Sequence, residues 1–251
     1  MNHLPDFLVI GSARCGTSSL HRNLCRHPRI RGPKGLRGNG KEVHFFDKKW
    51  GSSKYDLDWY QGLFVANPQE CYFFESTPNY IFMPSVPGRV REILPDGRFI
   101  AMLRDPVDRA WSHYCHWRRK CSWKISDLEN PKFNPIEKGI YHIQLKRWFN
   151  VFDRDQFMII RSEDFYSNPS RILKDVFRWI GVNPILIENP VYWDPAPGRD
   201  RLKKRVEYEK IPVNLGRKLR AFYRSHNGKL EELIGKRMGW DRSSSYEEER
   251  G

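Results

Sequence analysis

At 251 residues, 39% hydrophobic and 14% aromatic, the chain can bury one sizeable core and reads as a single domain over 1–251, with 242–251 expected as a disordered tail. Its formal charge of +14 draws polyanions, among them acidic glycans, nucleic acids and doubly phosphorylated cofactors, and charge alone does not choose among these. No run reaches the roughly 18 apolar residues that span a bilayer, and five cysteines without a CxxC pair argue for neither a disulfide framework nor a zinc site, although Cys115 and Cys121 could pair.

Phe7 to Ile10 reads as a short buried strand and runs into GSARCGTSSL, a glycine-bounded turn before a helical pattern over Thr17 to Arg26. The Gly11-x4-Gly16 spacing fits the phosphate-binding pattern G-x-x-x-x-G-K-[ST]. Thr17, however, stands at the lysine position, and Arg14 is the long cation inside the loop, which points away from ATP or GTP hydrolysis. Backbone N–H groups and a helix N-terminus would converge there on an anion, with Thr17, Ser18 and Ser19 as hydroxyl donors that can also cap the helix. Residues 31–60, rich in Gly, Lys and aromatics, resist assignment and are expected to form a functional loop.

Further strands are expected at Tyr72 to Phe74, Phe99 to Leu103 and Phe157 to Ile160. Helices are expected at Val86 to Leu94, Val107 to Lys120, Pro135 to Phe152, Pro169 to Ile180 and, as one or two, Val213 to Ile234. This alternation implies an α/β fold, a parallel sheet flanked by helices on both faces, with ligands at the carboxyl ends of the strands. Arg104 closes the third of these strands. Asp105 can cap the next helix, Pro106 suits its first turn, and Ser112 lies about two turns along. Arg104 and Ser112 could grip one phosphate together, while a pairing of Arg104 with Asp105 or Asp108 is equally consistent with the segment. Residues 189–212 hold Arg199, Arg201, Lys203, Lys204 and Arg205 among prolines, either a second functional loop or a solvated charge run.

The pieces GSARCGTSSL, KEVHFFD, ESTPNY, RDPVDRAWSHY and FYRSHNGKLEELIGKRMGWD, in this order and spacing, resemble the sulfotransferase domains that modify heparan sulfate. The likeness is greatest to the glucosaminyl 3-O-sulfotransferases and the N-sulfotransferase domain. It implies a P-loop-like fold, a donor of 3′-phosphoadenosine 5′-phosphosulfate, no metal, and a glycan or small-molecule acceptor that could be acidic. Nucleic acid is not an expected partner. By this resemblance the loop for the 5′-phosphosulfate falls on Arg14, Cys15, Gly16, Thr17, Ser18 and Ser19. The 3′-phosphate contacts fall on Arg104 and Ser112, and a loop closing over the donor falls on Lys203, Lys204 and Arg205. Glu42 matches the family's catalytic base.

A nearby lysine and the cofactor cations would hold the Glu42 carboxyl low, whereas burial would raise it. His44 would face the same side if the segment is extended, as a second base or an orienting group, with Asp47 as support. Acceptor contacts are expected from Lys41, His44, Asp47, Tyr80, His113 and Trp117. Two departures stand out: Arg14 replaces the family's usual lysine, as a rigid fork in place of a mobile point charge, and Ser76 replaces a second one. The reading leaves open the acceptor, O- against N-sulfation and the oligomeric state. It expects either a cytoplasmic, bacterial-type enzyme or an excised Golgi-lumenal domain. A P-loop kinase and a non-catalytic polyanion or nucleic-acid binder are the rivals, the first weakened by the absent loop lysine and the second resting on charge alone.

Overall fold

A computed structural model describes residues 3–35, 40–65, 71–119, 121, 124–129, 134–192 and 210–242. The expected tail beyond Arg242 and the basic stretch around Lys203, Lys204 and Arg205 therefore lie outside the described residues.

Strand β1 (Phe7–Gly11) is buried along its whole length, as a strand covered on both faces must be. The chain continues through α1 (Thr17–Leu24), β2 (Ile30–Arg31), α2 (Leu57–Gln61), β3 (Tyr72–Ser76), α3 (Val86–Ile93), β4 (Arg98–Leu103) and α4 (Pro106–Arg118). It ends with α5 (Tyr141–Phe149), β5 (Phe157–Arg161), α6 (Ser162–Ser167), α7 (Pro169–Ile180) and α8 (Val213–Ile234). The five strands pair in parallel in the order β2-β3-β1-β4-β5. Between Val9 and Gly11 the β1–β4 register shifts as β1 gives way to the turn.

The helices bury what their spacing promised. Ile172, Leu173, Val176, Phe177 and Ile180 line one side of α7 and join the core, each contributing at most about 1.5–3 kcal/mol. Asn168 caps α7 by accepting from Arg171 N–H, and Gly181 ends it in a left-handed conformation. Gly11 is required by close approach, because a Cβ there would lie 2.3 Å from Ile81 Cγ2.

Several expectations are corrected. The helix expected over Pro135 to Phe152 is a 3-10 turn, Glu137–Gly139, followed by α5 from Tyr141. Ile140 leaves the helical region at φ −84°, ψ 69°. Gly139 also packs so closely on Tyr223 that a side chain would meet its hydroxyl oxygen at 2.8 Å. Helix α1 stops at Leu24, two residues before the expected Arg26, shortly before Pro28, which disfavours helix in the residue it follows. Its N-cap is Gly16 with no side-chain cap, so Thr17, Ser18 and Ser19 do not cap it. The irregular stretch 31–60 contains a π-helical turn, Phe45–Lys49, and α2. Strand β2 and helix α6 were not anticipated. Cys115 and Cys121 both remain thiols. Among the described residues no helix is long and apolar enough to cross a membrane.

Candidate active site

The carboxyl ends of β1, β3 and β4 bring the predicted motifs together. The loop after β1 is tied to the scaffold by Ser12 N–H donating to Met102 O (2.7 Å) and by Ser162 Oγ donating to Cys15 O (2.6 Å). Gly16 turns into α1 at φ 90°, with Tyr166 so near that a Cβ would meet its hydroxyl oxygen at 2.7 Å. The Cys15 side chain faces inward, its Sγ 3.6 Å from Tyr141 Oη, and burial pushes the thiol up.

Arg14 and Ser112, expected to serve different groups, meet directly. Arg14 Nε and Nη2 both donate to Ser112 Oγ at 3.2 Å, and Nη1 lies 3.4 Å from His116 Nδ1. His116, one helical turn beyond Ser112, was missed in the sequence, although the i, i+4 spacing puts both on one face of α4. Arg104 lies at the end of β4 with Nη2 3.7 Å from Asp108 Oδ2, so the carboxylate pairing is realised, and its charge also acts on Cys15 of the loop and Tyr166 of α6.

Lys41 comes back over the loop from the far segment. Its Nζ donates to Ser18 Oγ (2.6 Å) and Thr17 Oγ1 (3.2 Å) and lies 3.9 Å from Glu42 Oε1. Burial brings this ammonium down to about 8, Glu42 opposing the shift and Arg14 adding to it. The protonated form is lost as pH rises through that value. The expected result is a kcat/KM at subsaturating donor that declines above about pH 8 in the wild type and holds to higher pH in Lys41→Arg. An unchanged basic limb in Lys41→Arg would remove Lys41 from the reaction.

Glu42, His44 and Asp47 form a chain of contacts, though not on an extended segment. Glu42 and His44 both take left-handed backbone, φ 63° and 59°, conformations that cost of order 1–3 kcal/mol each and need support from their surroundings. Glu42 N–H donates to Ser76 O at 2.8 Å, while its side chain is 55% exposed and so open to an incoming acceptor. His44 Nε2 lies 3.7 Å from Glu42 Oε2, and this contact foremost holds the Glu42 carboxyl low, burial working against it. His44 Nδ1 donates to Asp47, 3.0 Å from each carboxylate oxygen, which fixes the tautomer. Burial opposes charge on His44, but Asp47 and Glu42 outweigh it and raise the imidazole. Lys48 Nζ is 3.2 Å from Nε2, so Nε2 faces Lys48 as a lone pair when neutral and Glu42 as a donor when charged. Asn79 Nδ2 donates to Asp47 Oδ2 at 3.1 Å and anchors the chain from the ESTPNY segment.

Two expected acceptor contacts are corrected. Tyr80 is wholly buried, and its hydroxyl accepts Phe46 N–H at 3.2 Å. His113 is buried, accepts from Trp117 Nε1 at 3.0 Å, and is brought down to about 2 by burial and by the charges of Arg109 and Lys138, so it orients Trp117 as a neutral ring. Trp117 itself is half-buried and edge-on to His116. Among the described residues no group of three or more His, Cys, Asp or Glu is placed to hold a metal ion.

Residues 4–189 match the sulfotransferase domain. The chain is 28% identical over 264 residues to mouse heparan sulfate glucosamine 3-O-sulfotransferase 3A1, covering 95% of this chain and 65% of the relative. It is also 28% identical over 265 residues to mouse bifunctional heparan sulfate N-deacetylase/N-sulfotransferase 4, covering 93% of this chain and 30% of that one. The chain thus spans less than two thirds of the length of these relatives. A crystal structure of a sulfotransferase from Alicyclobacillus acidocaldarius superposes with a TM-score of 0.77 at 29% identity, covering 96% of this chain and all of that one.

Proposed function

The chain belongs to the sulfotransferase domain family, and from that membership we propose that it moves the sulfuryl group of 3′-phosphoadenosine 5′-phosphosulfate to a hydroxyl or amine of a glycan acceptor. The observation that carries the reading is the convergence of Arg14, Lys41 and Glu42 on the turn after β1. Lys41 touches the loop hydroxyls of Thr17 and Ser18 and lies 3.9 Å from the exposed Glu42 carboxylate. Two cations and a ring of backbone and hydroxyl donors suit a phosphosulfate, and a carboxylate beside them suits proton removal.

Glu42 accepts the acceptor's proton as the acceptor atom bonds to sulfur. The bond from sulfur to the bridging oxygen breaks, its electron pair stays with the departing adenosine bisphosphate, and Arg14 and Lys41 hold the charge that gathers there. His44, polarised by Asp47, keeps Glu42 ionised and turned toward the acceptor. Arg104 and Ser112 take the 3′-phosphate, Ser112 donating its hydroxyl proton while its oxygen still accepts from Arg14. The mouse relatives' names make a heparan-type saccharide the first acceptor to try, and the +14 charge suits an acidic one.

Radiolabelled donor with N-sulfated heparan oligosaccharide, desulfated heparan oligosaccharide and p-nitrophenol tests the reading. Label is expected in a saccharide. Arg104→Ala is expected to raise the donor KM by about 10- to 100-fold, the worth of a charge-assisted hydrogen bond, with a smaller change in kcat. Label in none of the three, together with an Arg104→Ala variant that still binds adenosine 3′,5′-bisphosphate normally, would contradict it.

A further inference from the structure

Glu75 is a wholly buried carboxylate to which the reaction above assigns no part. It stands on β3 opposite Leu8 of β1, in the middle of the sheet. A buried carboxylate without partners would be costly. Glu75 instead receives Tyr60 Oη at 2.6 Å on Oε2 and Thr77 Oγ1 at 2.8 Å on Oε1, and the Tyr80 hydroxyl beside them also favours the charged carboxylate. Burial raises this carboxyl, and the three hydroxyls work against the rise.

Each of those hydroxyl-bearing residues also touches the segment that carries Glu42. Thr77 Oγ1 accepts His44 N–H at 3.3 Å, and Tyr80 Oη accepts Phe46 N–H at 3.2 Å. Tyr60 stacks flat on Phe45, ring centroids 4.1 Å apart and planes within 6°. The directions are mutually consistent. Thr77 Oγ1 accepts a backbone N–H from the segment and donates its own proton onward to Glu75, and a carboxylate is the group that can accept from every side. Three consecutive residues, His44, Phe45 and Phe46, are thus held by Thr77, Tyr60 and Tyr80, the first two hydrogen-bonded to Glu75 and the third beside it, next to the left-handed backbone at Glu42 and His44 that needs holding.

We infer that Glu75 is a positioning residue for the reaction: through Thr77, Tyr80 and Tyr60 it sets the backbone of residues 44–46 and so the placing of His44 against Glu42. This rests on Glu42 being the base. Glu75→Gln keeps the volume but exchanges one accepting oxygen for a donating amide, so at least one hydroxyl must turn its proton away and lose its present tie to residue 75. Thr77→Val cuts only the arm to His44, and Thr77→Ser keeps it.

The test uses the full chain, with labelled donor and N-sulfated heparan oligosaccharide for kcat and KM, adenosine 3′,5′-bisphosphate for affinity, and the ¹⁵N imidazole resonances of His44, assigned with His44→Asn. Glu75→Gln and Thr77→Val are expected to lower kcat at least tenfold, to hold the bisphosphate Kd within twofold and to displace the His44 resonances, while Thr77→Ser keeps both kcat and the resonances at their wild-type values. A folded Glu75→Gln or Thr77→Val with unchanged kcat and unchanged His44 resonances would overturn the inference. So would a loss of bisphosphate affinity equal to the loss of kcat, which marks general loosening. The base assignment fails by a different result, Glu42→Gln retaining transfer, and the His44 resonances do not depend on it.

Discussion

Glu42→Gln is expected to lower kcat by about 10²- to 10⁴-fold, the usual contribution of a positioned general base, while adenosine 3′,5′-bisphosphate binds as in the wild type. The separation follows from where the side chain sits. Its backbone N–H is fixed to Ser76 O at 2.8 Å and its carboxylate is 55% exposed, so the substitution leaves the segment in place and removes only a proton acceptor. His44 and Lys41 hold the carboxyl below its ordinary value, so the base form persists into mildly acid solution and the acid limb of the wild-type profile is expected below the usual glutamate range. A Glu42→Gln variant that transfers at the wild-type rate would pass the role to His44, and His44→Asn would then be the more damaging change.

Arg14→Ala is expected to lower kcat by about 10²- to 10³-fold, comparable to the loss of one preorganised donor at developing charge, with a smaller effect on the affinity for adenosine 3′,5′-bisphosphate. Its left-handed backbone, φ 72°, and its grip on Ser112 Oγ keep the guanidinium over the loop. Charge on the departing phosphate grows only as the sulfur–oxygen bond breaks, so the rate should suffer more than binding. Arg14→Lys is expected to recover most of the rate, since a point charge can reach the same oxygens. Equal losses in rate and in bisphosphate affinity for Arg14→Ala would make Arg14 a binding group alone.

Much of the architecture was legible because it rests on local pattern. The apolar runs that became β1, β3, β4 and β5 and the amphipathic spacing of α7 are signals carried by consecutive residues. Asp105 was readable as a cap for the same reason, and it accepts Val107 N–H as expected. Strand β2 was invisible because two residues, Ile30 and Arg31, carry no period and exist as a strand only by pairing with β3. The segment around Glu42 looked extended because nothing local announces left-handed backbone at Glu42 and His44; Thr77, Tyr80 and Ser76 impose it from another strand end.

The site was half legible in the same sense. Arg14, Glu42, His44 and Asp47 could be named from their motifs, but the Arg14–Ser112 contact joins residues 98 positions apart and is a property of the fold. Tyr80 and His113 misled because an aromatic and a histidine beside cations look like sugar contacts, whereas burial had already engaged both with internal partners.

Calorimetric titration with adenosine 3′,5′-bisphosphate, with ADP and ATP as controls, tests the central claim most directly. The proposed site predicts micromolar binding that Arg104→Ala abolishes or weakens at least tenfold and that ADP does not match, because only the 3′-phosphate engages Arg104 and Ser112. No binding, or equal binding of ATP, would contradict the assignment of this turn and of Arg104 to a phosphosulfate donor.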